Sequence, residues 1–485
     1  MNQRQYQTPL FSKLIHHTQK KPLQFHIPGH KNGQGMDPEF RDFIGSNILS
    51  IDLINIEPLD DLHHPQGVIK EAQELAAEAF GADYTFFSIQ GTSGAIMSMV
   101  MSVVHPEDKI IVPRNVHKSV ISSIILAGAC PVFVHPETDE KLGIAHGITA
   151  CQVQQALKKH PDAKAVLVIN PTYYGIAGNL REIVEVVHQH DIPVLVDEAH
   201  GVLTHFHERL PLSAMDAGAD MAATSVHKLG GSLTQSSVLN LREGLVNPHR
   251  VQSIISMLTT TSTSYPLLAS LDTARRFLAV NGRNIIEQTL YLANMARKRI
   301  NEIPGLHCIG REWLGSDALY DLDETKLLIH LKHLGITGYD AEKWLRKHHH
   351  IEVELSDLYN ILCLVTPGDS EETILPLIDA LQDLSDHFYQ PGRSNHIPIQ
   401  TPEIPELVLS PREAFYCQTV TIPLEEAAGK ISAEFIMIYP PGIPVFAPGE
   451  RITEENIDYI KQHINAGLPV KGTEDPNVKM IRVIR

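Results

Sequence analysis

The chain has 485 residues, of which 43% are hydrophobic and 20% charged, so it can bury a large core and should divide into about two to four domains. Its formal net charge of -17 argues against a nucleic-acid partner, because phosphate binding requires a concentrated basic surface. An acidic surface instead favours a cationic ligand. Five scattered cysteines without CxxC spacing, and the lack of a long apolar run or a signal-peptide pattern, predict a reduced, cytoplasmic protein without a membrane partner.

Short apolar runs alternate with amphipathic stretches from about residue 80 to residue 240, which is typical of βα units with a parallel sheet. The predicted strands cover residues 109–113, 132–135, 165–170 and 193–197. The predicted helices cover residues 93–104, 116–127 and 180–190, the last with Asn179 as its N-cap. Both faces of a parallel strand are buried, in agreement with the continuous apolar runs VLVIN and PVLVD.

The remaining chain divides by its composition. A long helical pattern at about residues 282–303 and a mixture of strand and helical patterns at 325–388 predict a second, smaller α/β domain. The stretch that follows is rich in proline and polar residues, as linkers are. The predicted organisation is an N-terminal arm at 1–35, a large domain at 36–285, a small α/β domain at 286–388, a linker at 389–405 and a C-terminal domain at 406–485.

The segment AATSVHKLGG at residues 222–231 ends a predicted strand with a lysine among small, polar and glycine residues. In a restricted pocket the pKa of Lys228 would fall, and its amine could then form an imine with an aldehyde cofactor. Ser225 and His227 are close enough in the sequence to bind the phosphate of such a cofactor. Alone, the segment is also compatible with an ordinary solvated lysine at a strand end.

The apolar run PVLV ends in Asp197, the first residue of the segment DEAHG at 197–201. A carboxylate at the carboxyl end of a parallel strand faces the ligand crevice. In enzymes with a pyridoxal cofactor, such an aspartate keeps the pyridine nitrogen protonated. DEAH is also a helicase motif, but that function requires a GxxxxGK[ST] phosphate loop, which the sequence lacks. A strand that simply ends in polar residues is the remaining alternative.

Two further segments carry potential ligand-binding groups. QGTSG at residues 90–94 combines glycine and hydroxyl residues at a helix start, where backbone N–H groups and the helix dipole favour an anion such as phosphate. RNVHK at 114–118 follows another predicted strand and would bring the imidazole of His117 against a cofactor ring. Alone, the first is compatible with an ordinary capped helix and the second with a histidine that forms local hydrogen bonds.

Together these segments occur in the order anion-binding turn, ring-stacking residue, aspartate and lysine, each at the end of a predicted parallel strand. This order resembles that of the aspartate-aminotransferase-like (fold type I) enzymes, which use pyridoxal 5'-phosphate (PLP). More narrowly, the chain resembles the short form of the Orn/Lys/Arg decarboxylase family, and most of all its Gram-positive biosynthetic arginine decarboxylases. The motifs that carry the resemblance are HIPGHK (26–31), LDDL (59–62), QGTS (90–93), RNVHK (114–118), DEAHG (197–201), SVHKLG (225–230), TTTSTS (259–264) and YPPGIP (439–444).

The resemblance implies an α/β fold with a mostly parallel sheet, in which the large domain at 36–285 binds PLP. It also implies residue roles. Lys228 would carry the cofactor, Asp197 would bind its ring nitrogen, His117 would stack over the ring, and Lys228 or His200 would protonate Cα. The residues expected to contact the cofactor are Thr92, Ser93, Gly94, His117, Asp197, Ala199, Ser225, His227, Lys228 and, from a neighbouring subunit, Ser262.

Decarboxylation of a basic L-amino acid is the implied activity. Arginine would give agmatine and CO2 for polyamine and spermidine biosynthesis, and lysine or ornithine are the alternatives. Glu354 and Asp357, in the segment IEVELSDLY, are candidates to bind the guanidinium, although exposed carboxylates in a strand and turn would look the same. Because Ser262 would reach the neighbouring active site, the resemblance implies a homodimer or an assembly of dimers with shared active sites.

Other functions remain open from the sequence. An aminotransferase or a β-elimination lyase would use the same lysine and aspartate, because a fold does not fix the reaction. A metal-dependent hydrolase is suggested by the 27 histidines, including His205, His207 and the run at 348–350. No HExxH frame accompanies these histidines, so no metal site is predicted. A non-catalytic PLP-binding protein is a further alternative.

Overall fold

The structure is a computed structural model that describes residues 3–392, 403–438, 443–465 and 470–485. Most of the predicted linker, at 393–402, and the first four residues of the YPPGIP motif, at 439–442, lie outside the described residues. The chain forms two compact units, each built from two stretches. The first unit is Met1–Val103 with Pro193–Ile286, and the second is Val104–Ile192 with Glu287–Arg485. The predicted domain boundaries remain predictions.

Both units contain α-helices and β-strands. In chain order the α-helices of the described residues are α1 (Pro9–Gln19), α2 (Pro38–Ile44), α3 (Ser46–Ile51), α4 (Val68–Phe80), α5 (Gly91–Val103), α6 (Lys118–Ala127), α7 (Ala150–Lys159), α8 (Leu180–His188), α9 (Ala214–Ala217), α10 (Val226–Leu229), α11 (Pro248–Leu258), α12 (Tyr265–Ile300), α13 (Gly338–His349), α14 (Glu371–Phe388), α15 (Pro411–Tyr416) and α16 (Glu454–Asn465). The β-strands are β1 (Tyr84–Ser88), β2 (Lys109–Pro113), β3 (Cys130–Val134), β4 (Thr138–Asp139), β5 (Ile144–Ala145), β6 (Ala165–Ile169), β7 (Ile176–Ala177), β8 (Val194–Asp197), β9 (Met221–Thr224), β10 (Ser237–Leu241), β11 (His307–Cys308), β12 (Asp321–Leu322), β13 (Lys326–His330), β14 (Leu355–Ser356), β15 (Asn360–Leu364), β16 (Thr419–Pro423), β17 (Ile436–Ile438), β18 (Ile443–Phe446), β19 (Val470–Lys471) and β20 (Met480–Ile484).

In the first unit, β1 pairs antiparallel with β10, β10 pairs antiparallel with β9, and β9 pairs parallel with β8. Two successive antiparallel pairings restore the direction, so β1, β8 and β9 run the same way and end at the same edge. Every residue of β8 and β9 is buried, as expected for strands covered on both faces, and α5 packs against β9 and β10. The polar residues that follow these three strands are therefore brought to one edge.

In the second unit, β2 pairs parallel with both β3 and β6. A separate antiparallel sheet has the order β11, β13, β15, β14 and shares a buried core with α13 and α14. The C-terminal residues enclose another core, to which β17, β18, α16 and β20 contribute. Among the described helices, none combines the length and the apolar character that crossing a bilayer requires.

A buried ion pair anchors the C-terminal residues to the segment that follows β2. The guanidinium of Arg114 donates to both carboxylate oxygens of Glu450, at 2.5 and 2.7 Å, and its Nε donates to the carbonyl of Pro444 at 3.1 Å. The guanidinium also lies 4.6 Å from the ring centroid of Phe133. Removal of either charged partner would leave a buried charge uncompensated, so Arg114 is a structural anchor at the start of the RNVHK motif.

The strands and helices predicted between residues 80 and 240 are present, with shifted ends. β2 has the predicted bounds, and α8 begins at Leu180 as predicted, with the side chain of Asn179 accepting a hydrogen bond from Glu182 N. The predicted start of α6 at residue 116 is wrong, because His117 caps the helix and the helix itself begins at Lys118. A cap residue lies outside the helix, and a pattern of apolar residues alone does not separate the two.

The predicted start of the long helix, at about residue 282, is also wrong. α12 begins at Tyr265 and ends at Ile300. Tyr265, Leu268 and Leu271 are buried at helical spacing and extend its apolar face toward the N-terminus. Pro266 does not interrupt the helix because it occupies the first turn, where a backbone N–H has no helical partner. The preceding run of serine and threonine hides this start in the sequence.

Candidate functional site

Lys228 follows directly from the edge at which β1, β8 and β9 end. It belongs to α10, a single turn after β9, and its side chain is partly buried. Its Nζ lies 2.7 Å from Nε2 of His200, which is buried. An ammonium group donates to the lone pair of a neutral imidazole, so a proton can pass between the two groups. The structure thus brings together the two residues predicted as candidate acids.

Asp197 is the last residue of β8, and Ala223 of β9 lies beside it in the sheet. Its side chain is buried, and Oδ1 accepts a hydrogen bond from Ala199 N at 3.2 Å. Among the described residues no donor reaches Oδ2. Burial raises the pKa of Asp197 to about 6, against the opposing effects of the Ala199 hydrogen bond and the positive charge of Lys228. A buried carboxylate with an open oxygen is suited to bind a cationic N–H group of a ligand.

Three hydroxyl groups meet near the start of α5. Thr92 Oγ1 forms a hydrogen bond with Ser225 Oγ and another, at 2.7 Å, with Ser237 Oγ. All three residues are buried. Thr92 lies in the first turn of α5, where backbone N–H groups and the helix dipole favour an anion. Hydroxyls that can rotate their protons toward an anion add to this preference.

The neighbouring predicted residues Ser93 and Gly94 lie in α5, and His227 lies in α10. Ser93 is partly buried in the same turn of α5. A Cβ added at Gly94 would lie 2.6 Å from Gln90 Cβ, so the turn excludes a larger residue here. His227 Nδ1 lies 2.8 Å from the carbonyl oxygen of Ser236, and because a carbonyl only accepts, Nδ1 carries the proton of that ring.

This donor set fits PLP. A lysine amine, a buried carboxylate with one open oxygen, and a helix start rich in hydroxyls match the aldehyde, the ring nitrogen and the phosphate of the cofactor. The predicted cofactor residues found together in the first unit are Lys228, Asp197, Ala199, Thr92, Ser93, Gly94, Ser225 and His227. Their roles toward the cofactor remain predictions.

Two predicted cofactor residues lie elsewhere in the chain. His117, in the second unit, is the N-cap of α6, and its Nδ1 lies 2.8 Å from Ser119 Oγ. Ser262, in the first unit, lies between α11 and α12, and its backbone N–H donates to Thr260 Oγ1 at 3.3 Å. The side chain of Ser262 is exposed in the single chain, as a contact with a second subunit would require.

The two predicted substrate carboxylates, both in the second unit, differ in their surroundings. Glu354 is exposed and accepts a hydrogen bond from a tyrosine hydroxyl. Asp357 is 1% exposed, and its oxygens accept from Tyr174 Oη, Tyr359 N and the backbone and side-chain amides of Asn360. Burial raises the pKa of Asp357 to about 6. Of the two, Glu354 is therefore the carboxylate that a cation can reach from solvent.

The sequence interpretation missed the roles of Ser237, Glu198 and His205. Ser237, the first residue of β10, joins the hydroxyl cluster at Thr92. Glu198 belongs to the DEAHG motif and His205 to the HFH segment, and the two form a buried ion pair at 2.7 Å. Both segments stand out in the sequence, yet no spacing rule indicates that these two side chains meet.

The other histidine-rich segment has protein partners as well. The rings of His348 and His349 lie 5.0 and 5.1 Å from the Trp344 ring, and His349 Nε2 lies 2.9 Å from Asp383 Oδ2. Over the described ranges of the chain, no group of three or more His, Cys, Asp and Glu side chains is arranged to hold a metal ion. These histidines therefore have packing and hydrogen-bonding partners within the folded chain.

Comparison with known proteins adds independent information. The family model "Orn/Lys/Arg decarboxylase, major domain" matches residues 8–373, and "Orn/Lys/Arg decarboxylase, C-terminal domain" matches residues 398–470. The chain is 65% identical over 483 residues to the arginine decarboxylase of Halalkalibacterium halodurans, with 99% of this chain and 98% of that protein covered. It is 63% identical over 482 residues to the arginine decarboxylase of Bacillus subtilis, with the same shares covered.

A solved structure is similar over nearly the whole chain. The lysine decarboxylase LdcF of Francisella novicida superposes with a TM-score of 0.86 at 25% sequence identity, covering 99% of this chain and 81% of that chain. This likeness confirms the predicted aspartate-aminotransferase-like α/β fold.

Proposed function

We propose that this chain, which belongs to the Orn/Lys/Arg decarboxylase family, removes the α-carboxylate of arginine with PLP as its cofactor. The observation that carries the proposal is the neighbourhood of Lys228. Its amine contacts the buried His200 at 2.7 Å, and Asp197 ends the adjacent strand with an open carboxylate oxygen. The names of the relatives at 63% and 65% identity support arginine as the substrate.

PLP, when bound, supplies a protonated ring that stabilises the negative charge left at Cα when CO2 departs. Asp197 would hold the proton on the ring nitrogen, because the residue is buried and its Oδ2 accepts no hydrogen bond from the described residues. Lys228 and His200 can exchange a proton across their hydrogen bond, so either would be a candidate to deliver it to Cα. Thr92 and Ser225 would bind the phosphate through their hydroxyls at the start of α5.

Glu354 is the proposed partner of the substrate guanidinium. A guanidinium presents parallel N–H donors that a carboxylate can accept bidentately. Glu354 is exposed, whereas the oxygens of Asp357 already accept from protein donors. Asp357, the other predicted substrate residue, would have to give up some of these donors to bind a substrate.

A homodimer, or an assembly of dimers with shared active sites, is part of the proposal. The N-terminal segment exposes several large apolar side chains in the single chain. They are Leu23, Phe25, Ile27, Phe40 and Phe43. Exposed apolar patches mark interaction surfaces, and the exposed Ser262 agrees with a contact to the neighbouring subunit. We further propose a cytoplasmic location and a role in polyamine and spermidine biosynthesis, with agmatine as the product.

Substrate profiling tests the proposed function. The purified full-length protein, with added PLP, should release CO2 from arginine with a kcat/KM about tenfold or more above that for lysine or ornithine, because a site built for a guanidinium leaves unpaired groups with the other substrates. The product should be agmatine. Lys228→Ala, with the same fold by circular dichroism, should release no CO2 above background.

Two results would contradict the proposal in different ways. A clear preference for lysine would overturn the choice of arginine and leave the decarboxylase activity intact. Conversion of an added α-keto acid to an amino acid, without CO2 release, would indicate an aminotransferase, which shares the lysine and the aspartate.

A further inference from the structure

We infer that Glu198 and His205 are positioning residues for the cofactor site: they form a buried ion pair that fixes the places of Asp197 and Ser225. The inference rests on the proposed function, because it concerns residues proposed to hold PLP. Neither Glu198 nor His205 would touch the cofactor or the substrate. They would act through the main chain and the hydrogen bonds of their neighbours.

Glu198 uses both of its carboxylate oxygens to join separate segments of the first unit. The residue is 1% exposed. Oε2 accepts from His205 Nε2 at 2.7 Å and from Thr224 Oγ1 at 2.9 Å, and Oε1 accepts from Ala214 N at 2.7 Å. The backbone N–H of Glu198 also donates to Ala223 O at 3.1 Å. One side chain therefore connects the end of β8 with the end of β9, the start of α9 and the turn that contains His205.

The hydrogen bonds of His205 show that its ring is charged when Glu198 is a carboxylate. Nδ1 lies 3.1 Å from the carbonyl oxygen of Phe80, and Nε2 lies 2.7 Å from the Glu198 carboxylate. Both partners only accept, so both ring nitrogens must carry a proton. The negative charges of Glu198 and Asp216 raise the pKa of His205 against the lowering effect of burial. The contact is thus an ion pair between two buried charges.

The ion pair acts on the site because of where its partners lie in the chain. Glu198 is the residue after Asp197, and Thr224, which donates to Glu198, is the residue before Ser225. The hydrogen bonds made by Glu198 therefore fix the positions of the chain at the carboxyl ends of β8 and β9. The carboxylate of Asp197 and the hydroxyl of Ser225 are proposed to contact the cofactor from these two ends. Loss of these hydrogen bonds would let the ends of β8 and β9 move relative to each other. Displacement of a site residue by about 1 Å can lower activity about 100-fold.

The ion pair also matters for the charge of Asp197. A negative charge on Glu198 raises the pKa of Asp197, because two adjacent buried carboxylates repel each other. The imidazolium of His205, at 2.7 Å from Glu198, offsets this repulsion. Asp197 can then keep the negative charge that it needs to bind a protonated ring nitrogen.

The chain offers a matched control in Asp272. Like Glu198, Asp272 is a buried carboxylate of the first unit that forms an ion pair with a cationic side chain. It also accepts hydrogen bonds from two further donors, as Glu198 does. Its partners are Leu10 N, Phe11 N and Arg275. The hydrogen bonds from the two backbone N–H groups connect the start of α1 to α12. Asp272→Ala therefore removes a comparable set of buried bonds without contacting any proposed cofactor residue.

The test compares PLP binding by the full-length variants Glu198→Ala and Asp272→Ala. Each variant is freed of cofactor and then titrated with PLP, and the visible absorbance of the bound cofactor is measured. Glu198→Ala should bind PLP about tenfold or more weakly than wild type and change the absorbance of the bound form. Asp272→Ala should bind PLP with an affinity within about twofold of wild type, even if its melting temperature falls as far as that of Glu198→Ala.

A conservative variant separates positioning from general destabilisation. In Glu198→Gln the amide can accept from Ala214 N and donate to Thr224 and to a neutral His205, so it should restore PLP affinity to within about threefold of wild type. If Glu198→Ala does not fold, His205→Ala takes its place and should weaken PLP binding in the same direction.

Two outcomes would overturn the inference. One is a folded Glu198→Ala, or His205→Ala in its place, that binds PLP like wild type with unchanged absorbance. The other is an equal loss of PLP affinity in Asp272→Ala. Wild-type protein that binds PLP but releases no CO2 from arginine would instead count against the proposed function alone, and wild-type protein that binds no PLP would overturn both.

Discussion

Asp197 and Asp357 are both buried aspartates with a pKa raised to about 6 by burial, yet their surroundings differ. Within the described chain the Asp197 carboxylate accepts one hydrogen bond, from Ala199 N, whereas Asp357 accepts from Tyr174, Tyr359 and Asn360. Buried polar groups in folded proteins are nearly always satisfied, so the open oxygen of Asp197 is consistent with its proposed role toward a ligand, whereas the oxygens of Asp357 are already used by protein donors.

The comparison shows that burial and a shifted pKa do not by themselves identify a functional carboxylate. Asp197 ends a strand whose neighbour leads directly into the segment that carries Lys228, and the lysine charge acts on it. Asp357 closes its own turn, since its partner Asn360 follows three residues later. The number and origin of the hydrogen bonds separate the two cases.

Among changes to the carboxylates compared here, the largest effect on activity is expected from Asp197→Asn. Asparagine can still accept from Ala199 N, but it lacks the charge that would hold a proton on the ring nitrogen. We expect kcat/KM for arginine to fall by about 100-fold or more, as when a preorganised electrostatic partner is removed from a catalytic site. The measurement is CO2 release at saturating PLP, with the melting temperature as a control for folding. Activity within tenfold of wild type would show that the open oxygen of Asp197 has no electrostatic role.

A smaller effect, confined to substrate binding, is expected from Glu354→Gln. Loss of the carboxylate removes the proposed bidentate partner of the guanidinium, so KM for arginine should rise by about tenfold or more with little change in kcat. Glu352→Gln is the matched control, because Glu352 is an exposed carboxylate two residues away that pairs with Arg346. Equal KM values for the two variants would remove Glu354 from the substrate site.

The smallest effect on activity is expected from Asp357→Asn, which should act on stability. Because its folded-state pKa is raised, Asp357 contributes stability that is present below its unfolded pKa and is lost as pH rises through about 6. The advantage of wild type over Asp357→Asn in unfolding free energy should therefore decrease by about 2 kcal/mol between pH 4 and pH 7.

Urea unfolding of wild type and Asp357→Asn at several pH values measures this difference. An advantage that grows as pH rises would mean that the turn stabilises the charged form and lowers the pKa instead. A large rise in KM for arginine in Asp357→Asn would show that Asp357 binds substrate. Its hydrogen bonds would then not distinguish it from Asp197 as a purely structural carboxylate.

Local signals in the sequence predicted much of the fold and of the arrangement of the candidate cofactor residues. The bounds of β2, the cap of α8 by Asn179, and the strand that ends in Asp197 all depend on residues that are close together in the chain. The proximity of Lys228 and His200 follows from the same logic, because β8 and β9 are neighbouring parallel strands whose ends meet at one edge.

Interactions between residues distant in the sequence could not be predicted in this way. The antiparallel insertion of β10 between β1 and β9 brings Ser237 to Thr92, although the two are far apart in the chain. The donation from Tyr174 to Asp357 and the anchoring of Arg114 by Glu450 likewise depend on tertiary packing. Such contacts leave no periodic pattern, and this is why Asp357 and Glu354 look equivalent in the sequence and differ in the structure.

The decisive measurement for the proposed site is which lysine of the holoprotein carries PLP. The holoprotein is treated with borohydride, which fixes the bond between PLP and its lysine, and the digested peptides are then weighed by mass spectrometry. The peptide containing Lys228 should gain the mass of the reduced cofactor. A cofactor fixed to another lysine, with Lys228 unmodified, would contradict the proposed site.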